Sequence, residues 1–188
     1  MSNSQVRLID ATSTLRTREF FANAWPMYVH ELCGFGATFY QLDATGRWQP
    51  HVVPDWLACV TPNVNLRGTQ SALDPRQPFQ RAHVLEHAGM PIGFACVGVQ
   101  PFKYMPADVD RCIAEFFLIH GQRGHGLAVS ALVALLAAYP PGRWHLRVLS
   151  GNARAQRFWS RALVEVGVCE IEPRREDTDF TWRFVTKA

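Results

Sequence analysis

The chain has 188 residues, 48% of them hydrophobic and 19% charged, with a formal net charge of +3. That length supports one domain with a substantial core and is short for two, and the basic residues are too scattered to point to nucleic acid or a membrane surface. Five well-separated cysteines, Cys33, Cys59, Cys96, Cys112 and Cys169, form no Cys-x-x-Cys pair, and no apolar run approaches the ~18 residues of a membrane span or the core of a secretion signal, so a soluble, cytoplasmic protein with reduced thiols is expected.

In chain order, Val6–Thr12 alternates as a strand does, and "TREFFANAWPMYVHELCGF" from Thr17 has helical character, with Pro26 expected to break or kink it. Residues 36 to 78 carry scattered Gly, Pro, Asn and Asp and little periodicity, which predicts loops and room for a substrate lid. From Phe79 onward "FQRAHVLEH", the turn-like "AGMP" and "IGFACVGVQ" read as a β-hairpin. "DRCIAEFFLIH", Asp110 to His120, is nearly all apolar and reads as a central strand covered on both faces. A glycine-bearing stretch ends it, "LAVSALVALLAAY" follows as a largely buried helix, and Pro140, Pro141 and Gly142 stop that helix. "RWHLRVL" is a further strand. "NARAQRFWSRALVEVG" is a helix capped by Asn152 and closed near Gly167, and the remainder reads as two strands separated by "PRREDTD".

The stretch "HGQRGHGLAV", His120 to Val129, runs from strand to helix through three glycines. Such a junction gathers unpaired backbone N–H groups and the positive end of a helix dipole, and glycines there let an anion approach the main chain without meeting a Cβ. Arg123 and His125 could add charge. The alternative is that the glycines simply make the turn into the helix. Two commoner phosphate motifs are excluded: the Gly-Lys-Ser/Thr ending of a P-loop is absent, and a dinucleotide fingerprint starting at Gly124 would put Val129 where its third glycine belongs.

These residues resemble a known family. Arg123-Gly124-His125-Gly126-Leu127-Ala128 is similar to the Arg/Gln-x-x-Gly-x-Gly/Ala loop of the GNAT superfamily of acyl-CoA-dependent N-acyltransferases, where that loop holds the coenzyme A pyrophosphate. The family's second signature is a strand, an Asn, then a helix with an Ala and an aromatic pair. "WHLRVLSGNARAQRFW" supplies it with Asn152, Ala155, Phe158 and Trp159. The detailed resemblance spans about residues 113–167, and the N-terminal part matches only in its order of elements.

The resemblance implies a single α/β (α+β) domain over residues 1–188, with a mixed, mainly antiparallel central sheet of six or seven strands and helices on both faces. It implies acetyl-CoA as co-substrate with no metal, an amine as acceptor, no nucleic-acid or membrane partner, and a monomer or homodimer. Coenzyme contacts are expected from Phe117, Leu118, Ile119, Arg123, Gly124, His125, Gly126, Leu127, Ala128, Asn152, Ala155, Phe158 and Trp159. The chemistry is direct attack of an amine on a thioester, which needs a fixed hydrogen-bond donor for the oxyanion and an acceptor for the ammonium proton. A backbone N–H within about two residues of Leu118 is the expected donor. Glu115 is the only acidic residue of "CIAEFFLIH"; burial would raise its pKa toward the range of a base, or it is a structural carboxylate.

One position departs from the family pattern. Many members carry Tyr where this chain has Trp159, and an indole N–H is no acid near neutral pH. Either the thiolate leaves without a dedicated acid, or another group or a water assists, or the domain binds acyl-CoA without turnover and acts through a protein partner. The string His83-Val84-Leu85-Glu86-His87 matches the His-x-x-Glu-His of some zinc peptidases, but that motif needs a helix to bring its histidines together, and on a strand they stand about 13 Å apart. The aromatics Trp25, Tyr28, Phe35, Phe39 and Tyr40 fit either an acceptor pocket or the core, and His120 and His125 fit a turn or the surface.

Overall fold

The computed structural model of the protein describes residues 5–36, 42–46, 48, 55–60, 79–176 and 178–187. A short strand β1 (Arg7–Asp10) leads into the long helix α1 (Leu15–Cys33). A capping box starts that helix: Thr14 Oγ1 accepts from Thr17 N at 3.2 Å while Thr17 Oγ1 accepts from Thr14 N at 3.1 Å. Of the break or kink expected at Pro26, the break does not occur: the proline lies inside α1 without ending it. Within α1, Phe21, Trp25, Tyr28 and Leu32 recur at helical spacing; Phe21 and Trp25 are buried and Tyr28 packs beside them, so this stripe holds the helix against the sheet even where the proline removes a backbone donor.

A short helix α2 (Asp55–Val60) lies in the region read as loops only, and its Trp56, Leu57 and Val60 are buried. Most of the remaining loop-rich stretch, with Phe39, Tyr40 and the anticipated lid, lies outside the described residues. The predicted hairpin is β2 (Gln80–His87) and β3 (Met90–Val99), joined by Ala88 and Gly89 alone. Both have positive φ, 50° and 77°, the geometry that matches a hairpin's twist. Strand β4 (Arg111–Leu118), helix α3 (Leu127–Ala137), strand β5 (Gly142–Leu149) and helix α4 (Ala153–Glu165) follow. Strands β6 (Cys169–Arg175) and β7 (Asp179–Thr186) end the chain. The first half of "PRREDTD" belongs to β6 rather than to the connection.

The seven strands form one mixed sheet in the order β1-β2-β3-β4-β5-β7-β6, antiparallel everywhere except between β4 and β5. β4 is therefore the central strand, as its apolar sequence predicts. α3 and α4 cover one face over Leu118, Trp144, Leu146, Trp182 and Phe184, while α1 and α2 cover the other over Val84, Phe94, Cys112 and Phe117. Among the described residues no helix is long and apolar enough to cross a membrane.

Two local irregularities shape the centre. The β3–β4 register passes from Val97↔Ile113 to Cys96↔Glu115, so Ala114 is an extra residue on β4, a β-bulge. It turns both Ala114 and Glu115 toward α1, whereas Ile113 before it and Phe116 after it face α3 and α4. The parallel pairing of β4 with β5 covers only Arg111↔Trp144, Cys112↔His145 and Ile113↔Leu146. Beyond those three pairs the strands separate.

The β3–β4 contact is tight at the far end: a Cβ on Gly93 would lie 2.0 Å from the Phe117 carbonyl oxygen and 2.9 Å from Leu118 Cα. Both atoms are backbone, so relief requires moving the strand. Gly93→Ala is expected to lower unfolding stability by about 3 kcal/mol in denaturant titration, with a larger loss than Ala substitution at Gly121, where a Cβ meets nothing within 4 Å.

Candidate active site

The separation of β4 from β5 opens a cleft of ≈ 270 Å³ lined by Ala114, Glu115 and Phe116 from β4, Arg147, Val148 and Leu149 from β5, Asn152, Ala155 and Trp159 at the start of α4, Tyr28 and Leu32 from α1, and Asp179 from β7. It exists because a parallel pair that stops after Ile113 leaves the rest of β4, Ala114 to Leu118, with one edge unpaired.

Which backbone groups face that edge follows from the β3 side. Ile119 N–H donates to the Ile92 carbonyl at 2.9 Å, and residues alternate in direction along an antiparallel strand. The N–H groups of Phe117 and Glu115 thus point to β3, and those of Leu118 and Phe116 point away from it, into the split. Leu118 and Phe116 thus share the backbone edge that β5 leaves unpaired. Phe117 and Ile119, named among the expected coenzyme contacts, do not line this cleft. Their side chains pack on the α1 face and their N–H groups are turned to β3, so neither is brought to the cleft.

The loop after β4 has the predicted form. A 3₁₀ turn, His120–Gln122, precedes Arg123 in extended conformation; Gly124 and Gly126 have φ of 86° and 75°, and α3 begins at Leu127. A Cβ at either glycine would meet no protein atom within 4 Å. The glycines therefore answer to backbone conformation, not internal packing, and leave the outer side of the loop open. The N–H groups of Gly124 to Ala128 have no backbone acceptor among the described residues outside the helix's own bonding, in which Val129 and Ser130 N–H already turn back to the Gly126 carbonyl. His125 is exposed, as is His120.

Arg123 does not lend its side chain to this loop's outer side. Its Nε donates to the Leu118 carbonyl at 2.8 Å, one terminal nitrogen meets both carboxylate oxygens of Glu31 at 2.9 Å, and the guanidinium stands 5.4 Å from the Phe117 ring centroid. Arg123, expected to add charge for an anion, is paired in this structure with Glu31 on α1. The arginine instead ties the loop to the end of β4 and to α1.

At the other wall, Asn152 caps α4 through Oδ1, which accepts from Ala155 N at 3.0 Å, and both residues line the cleft. Trp159 is 5% exposed and meets Phe116 edge-on at 5.3 Å and Phe158 at 5.0 Å, while Phe116 and Phe158 stack with a 19° interplanar angle. The cleft's α4 wall is thus apolar, with no phenol at this position.

Glu115 is the carboxylate at the centre. Burial pushes its pKa up to about 7; a hydrogen bond from the Tyr28 hydroxyl and the positive charge of Arg147 oppose that rise. Burial and then the Glu115 charge hold the Tyr28 phenol well above its ordinary value. Arg147, its side chain 63% exposed, approaches Asp179 at 3.7 Å. Arg147 and Asp179 were not singled out in the sequence. Arg147 is legible only as an outward residue of an alternating strand, and nothing local shows that this strand borders a cleft. The His83–His87 string lies on β2, where His83 meets the Tyr139 hydroxyl at 2.7 Å and Glu86 pairs with Arg7, so its side chains are engaged separately.

No protein-family model matches the sequence, and no curated protein matches it significantly. The fold, however, has many solved counterparts. An acetyltransferase from Thermus thermophilus is similar over 99% of this chain and 100% of its own, with TM-score 0.63 and 14% identity. A GNAT-family acetyltransferase from Streptococcus agalactiae covers 98% of this chain and 96% of its own at TM-score 0.55 and 16% identity. The aminoglycoside acetyltransferase AAC(6')-Ib, in complex with ribostamycin and coenzyme A, is 15% identical over 97% of this chain and 94% of its own, with TM-score 0.57. The chain has the GNAT fold.

The raised carboxyl has a consequence for stability. Glu115 titrates near 4.5 when unfolded and about 7 when folded, so its contribution is fully present below about 4.5 and is lost as pH rises through about 7. Unfolding stability of the parent should fall over that window relative to Glu115→Gln, which carries no such titration. Denaturant midpoints of the two proteins at about pH 4.5, 6 and 8 measure the difference, and parallel pH curves would remove the assignment.

Proposed function

We propose that this chain is an N-acetyltransferase that passes the acetyl group of acetyl-CoA directly to an amine. The observation that carries this reading is the cleft between β4 and β5, which joins an unpaired backbone edge to a carboxyl of pKa about 7. An amine acceptor arrives as an ammonium ion and must lose a proton before its lone pair can attack. Glu115, partly ionised near neutral pH, takes that proton directly or through a water. The Leu118 N–H, with Phe116 N–H beside it, donates to the thioester oxygen as negative charge develops there. The C–S bond then breaks, the thiolate departs, and the attacking nitrogen gives up its second proton to that thiolate or to water, leaving the neutral amide. Since no phenol stands at Trp159, the thiolate leaves without a dedicated acid, which its low basicity permits.

The residues fit acetyl-CoA as co-substrate. The backbone N–H groups of Gly124 to Ala128, at the start of α3, suit the pyrophosphate, with Arg123 contributing main chain and rigidity rather than charge. Asn152, Ala155 and Trp159 line the wall along which the thiol arm would lie, with Phe158 packed against Trp159 and Phe116. An aminoglycoside acetyltransferase of this fold has been seen with coenzyme A, which supports the coenzyme and the class of acceptor. The acyl-CoA-binding alternative, without turnover, is favoured only by the missing phenol.

Two experiments test the reading. Acetyl-CoA should raise the melting temperature of the parent and not that of Gly126→Glu, which puts a like charge at the phosphate site, while Gly126→Asn, which tolerates the positive φ, should keep a larger part of the effect. In a thiol-release assay with a primary alkylamine, an aminoglycoside and a peptide with a free amino terminus and a lysine, Glu115→Gln should turn over about a hundredfold more slowly with little change in acetyl-CoA binding. The deficit should shrink as pH rises and free amine becomes available. Thiol release by no amine despite tight acetyl-CoA binding would favour the non-catalytic module.

A further inference from the structure

Glu115 does not stand alone in the cleft. The Ala114 bulge turns it toward α1, where the Tyr28 hydroxyl donates to Oε2. The phenol has little freedom to do otherwise. Its ring is held edge-on by Trp25 at 5.9 Å and by Phe94 at 5.5 Å, and tilted against Phe117 at 5.7 Å. Phe117 is two residues beyond Glu115 on the same face of the same strand, so the surface that fixes Tyr28 is rigidly connected to the carboxyl it touches. Both Tyr28 and Glu115 line the cleft.

Building on the proposed role of Glu115 as base, we infer that Tyr28 is its positioning residue: the phenol occupies one carboxylate oxygen, leaves the other for the acceptor's proton, and sets the pH at which that proton is taken. A hydrogen bond to the ionised form favours it, so the phenol keeps Glu115 available near neutrality against the burial that opposes ionisation. Among the described residues, the other titratable or charged groups around the pair are Glu31 on α1, Cys96 on β3, Cys112 on β4, Arg147 on β5 and Asp179 on β7. Of these, Arg147 also favours the ionised carboxyl, and Glu31 and Cys96 oppose ionisation of Tyr28. Among the described residues, Tyr28 is the one that touches the carboxyl through a hydrogen bond. No proton is transferred from the phenol in this scheme; the acceptor's proton ends on Glu115 and is released to solvent before the next turnover.

The test removes the hydroxyl alone. In ¹³C-carboxyl NMR titrations, with the Glu115 signal identified by its loss in Glu115→Gln, Tyr28→Phe should move the Glu115 midpoint upward by about one pH unit. With the fastest amine of the panel above, the acid limb of kcat/KM should move by the same amount while its high-pH plateau stays within about threefold. A fluorotyrosine at position 28 keeps the packing and strengthens the donor, so it should move both quantities downward, and it serves if the Phe variant does not fold. An acid limb that stays fixed in either variant overturns the positioning role. Failure of the base reading is distinguishable, because Glu115→Gln would then retain parental turnover whatever Tyr28 does.

Discussion

The parting of β4 and β5 after three residue pairs is the constraint on which the rest of the site depends. A parallel pair that continued to Leu118 would satisfy the N–H groups of Phe116 and Leu118 with β5 carbonyls and leave neither an open edge nor a cavity. The separation is sustained from both sides. α4 begins just after β5 with Trp159 against Phe116, and α1 approaches with Tyr28 and Leu32 from the other face. Side chains from both helices line the wedge, and backbone polar groups of β4 are left unpaired along it.

A second tie links this wedge to the glycine loop. Arg123 holds the Leu118 carbonyl and the Glu31 carboxylate at once, so the end of β4, the entry to α3 and the last turns of α1 are fixed relative to one another. The guanidinium's planar fork suits such a three-way junction better than an ammonium group would. With the side chain committed there, an anion at the loop would meet main-chain donors and the α3 dipole, which are fixed in place before any ligand arrives.

The electrostatics of the cleft rest on a balance within one carboxyl. Burial alone would keep Glu115 protonated at neutral pH, whereas full exposure would leave it an ordinary ionised carboxylate. The Tyr28 hydrogen bond and the more distant Arg147 charge pull against burial and leave the pKa at about 7.

The sequence by itself determined the elements whose signals are local. The hairpin turn at Ala88-Gly89, the apolar run of β4, the glycine loop into α3 and the Asn152 cap are each written within a few residues, because turn conformation, strand burial and capping are short-range physics. The resemblance carried by Arg123 to Ala128 and Asn152 to Trp159 extended that to a fold. Long-range packing decided the remainder. Pro26 sits within α1 because the buried stripe outweighs one lost backbone bond. The bulge at Ala114, which aims Glu115 at Tyr28, depends on the register of β3 and is invisible in a run of apolar residues. The direction of each N–H along β4, which separates Leu118 from Phe117 and Ile119, follows from which edge meets β3. The pairing of Arg123 with Glu31 joins positions 92 residues apart, and only a folded chain can bring two such distant side chains together.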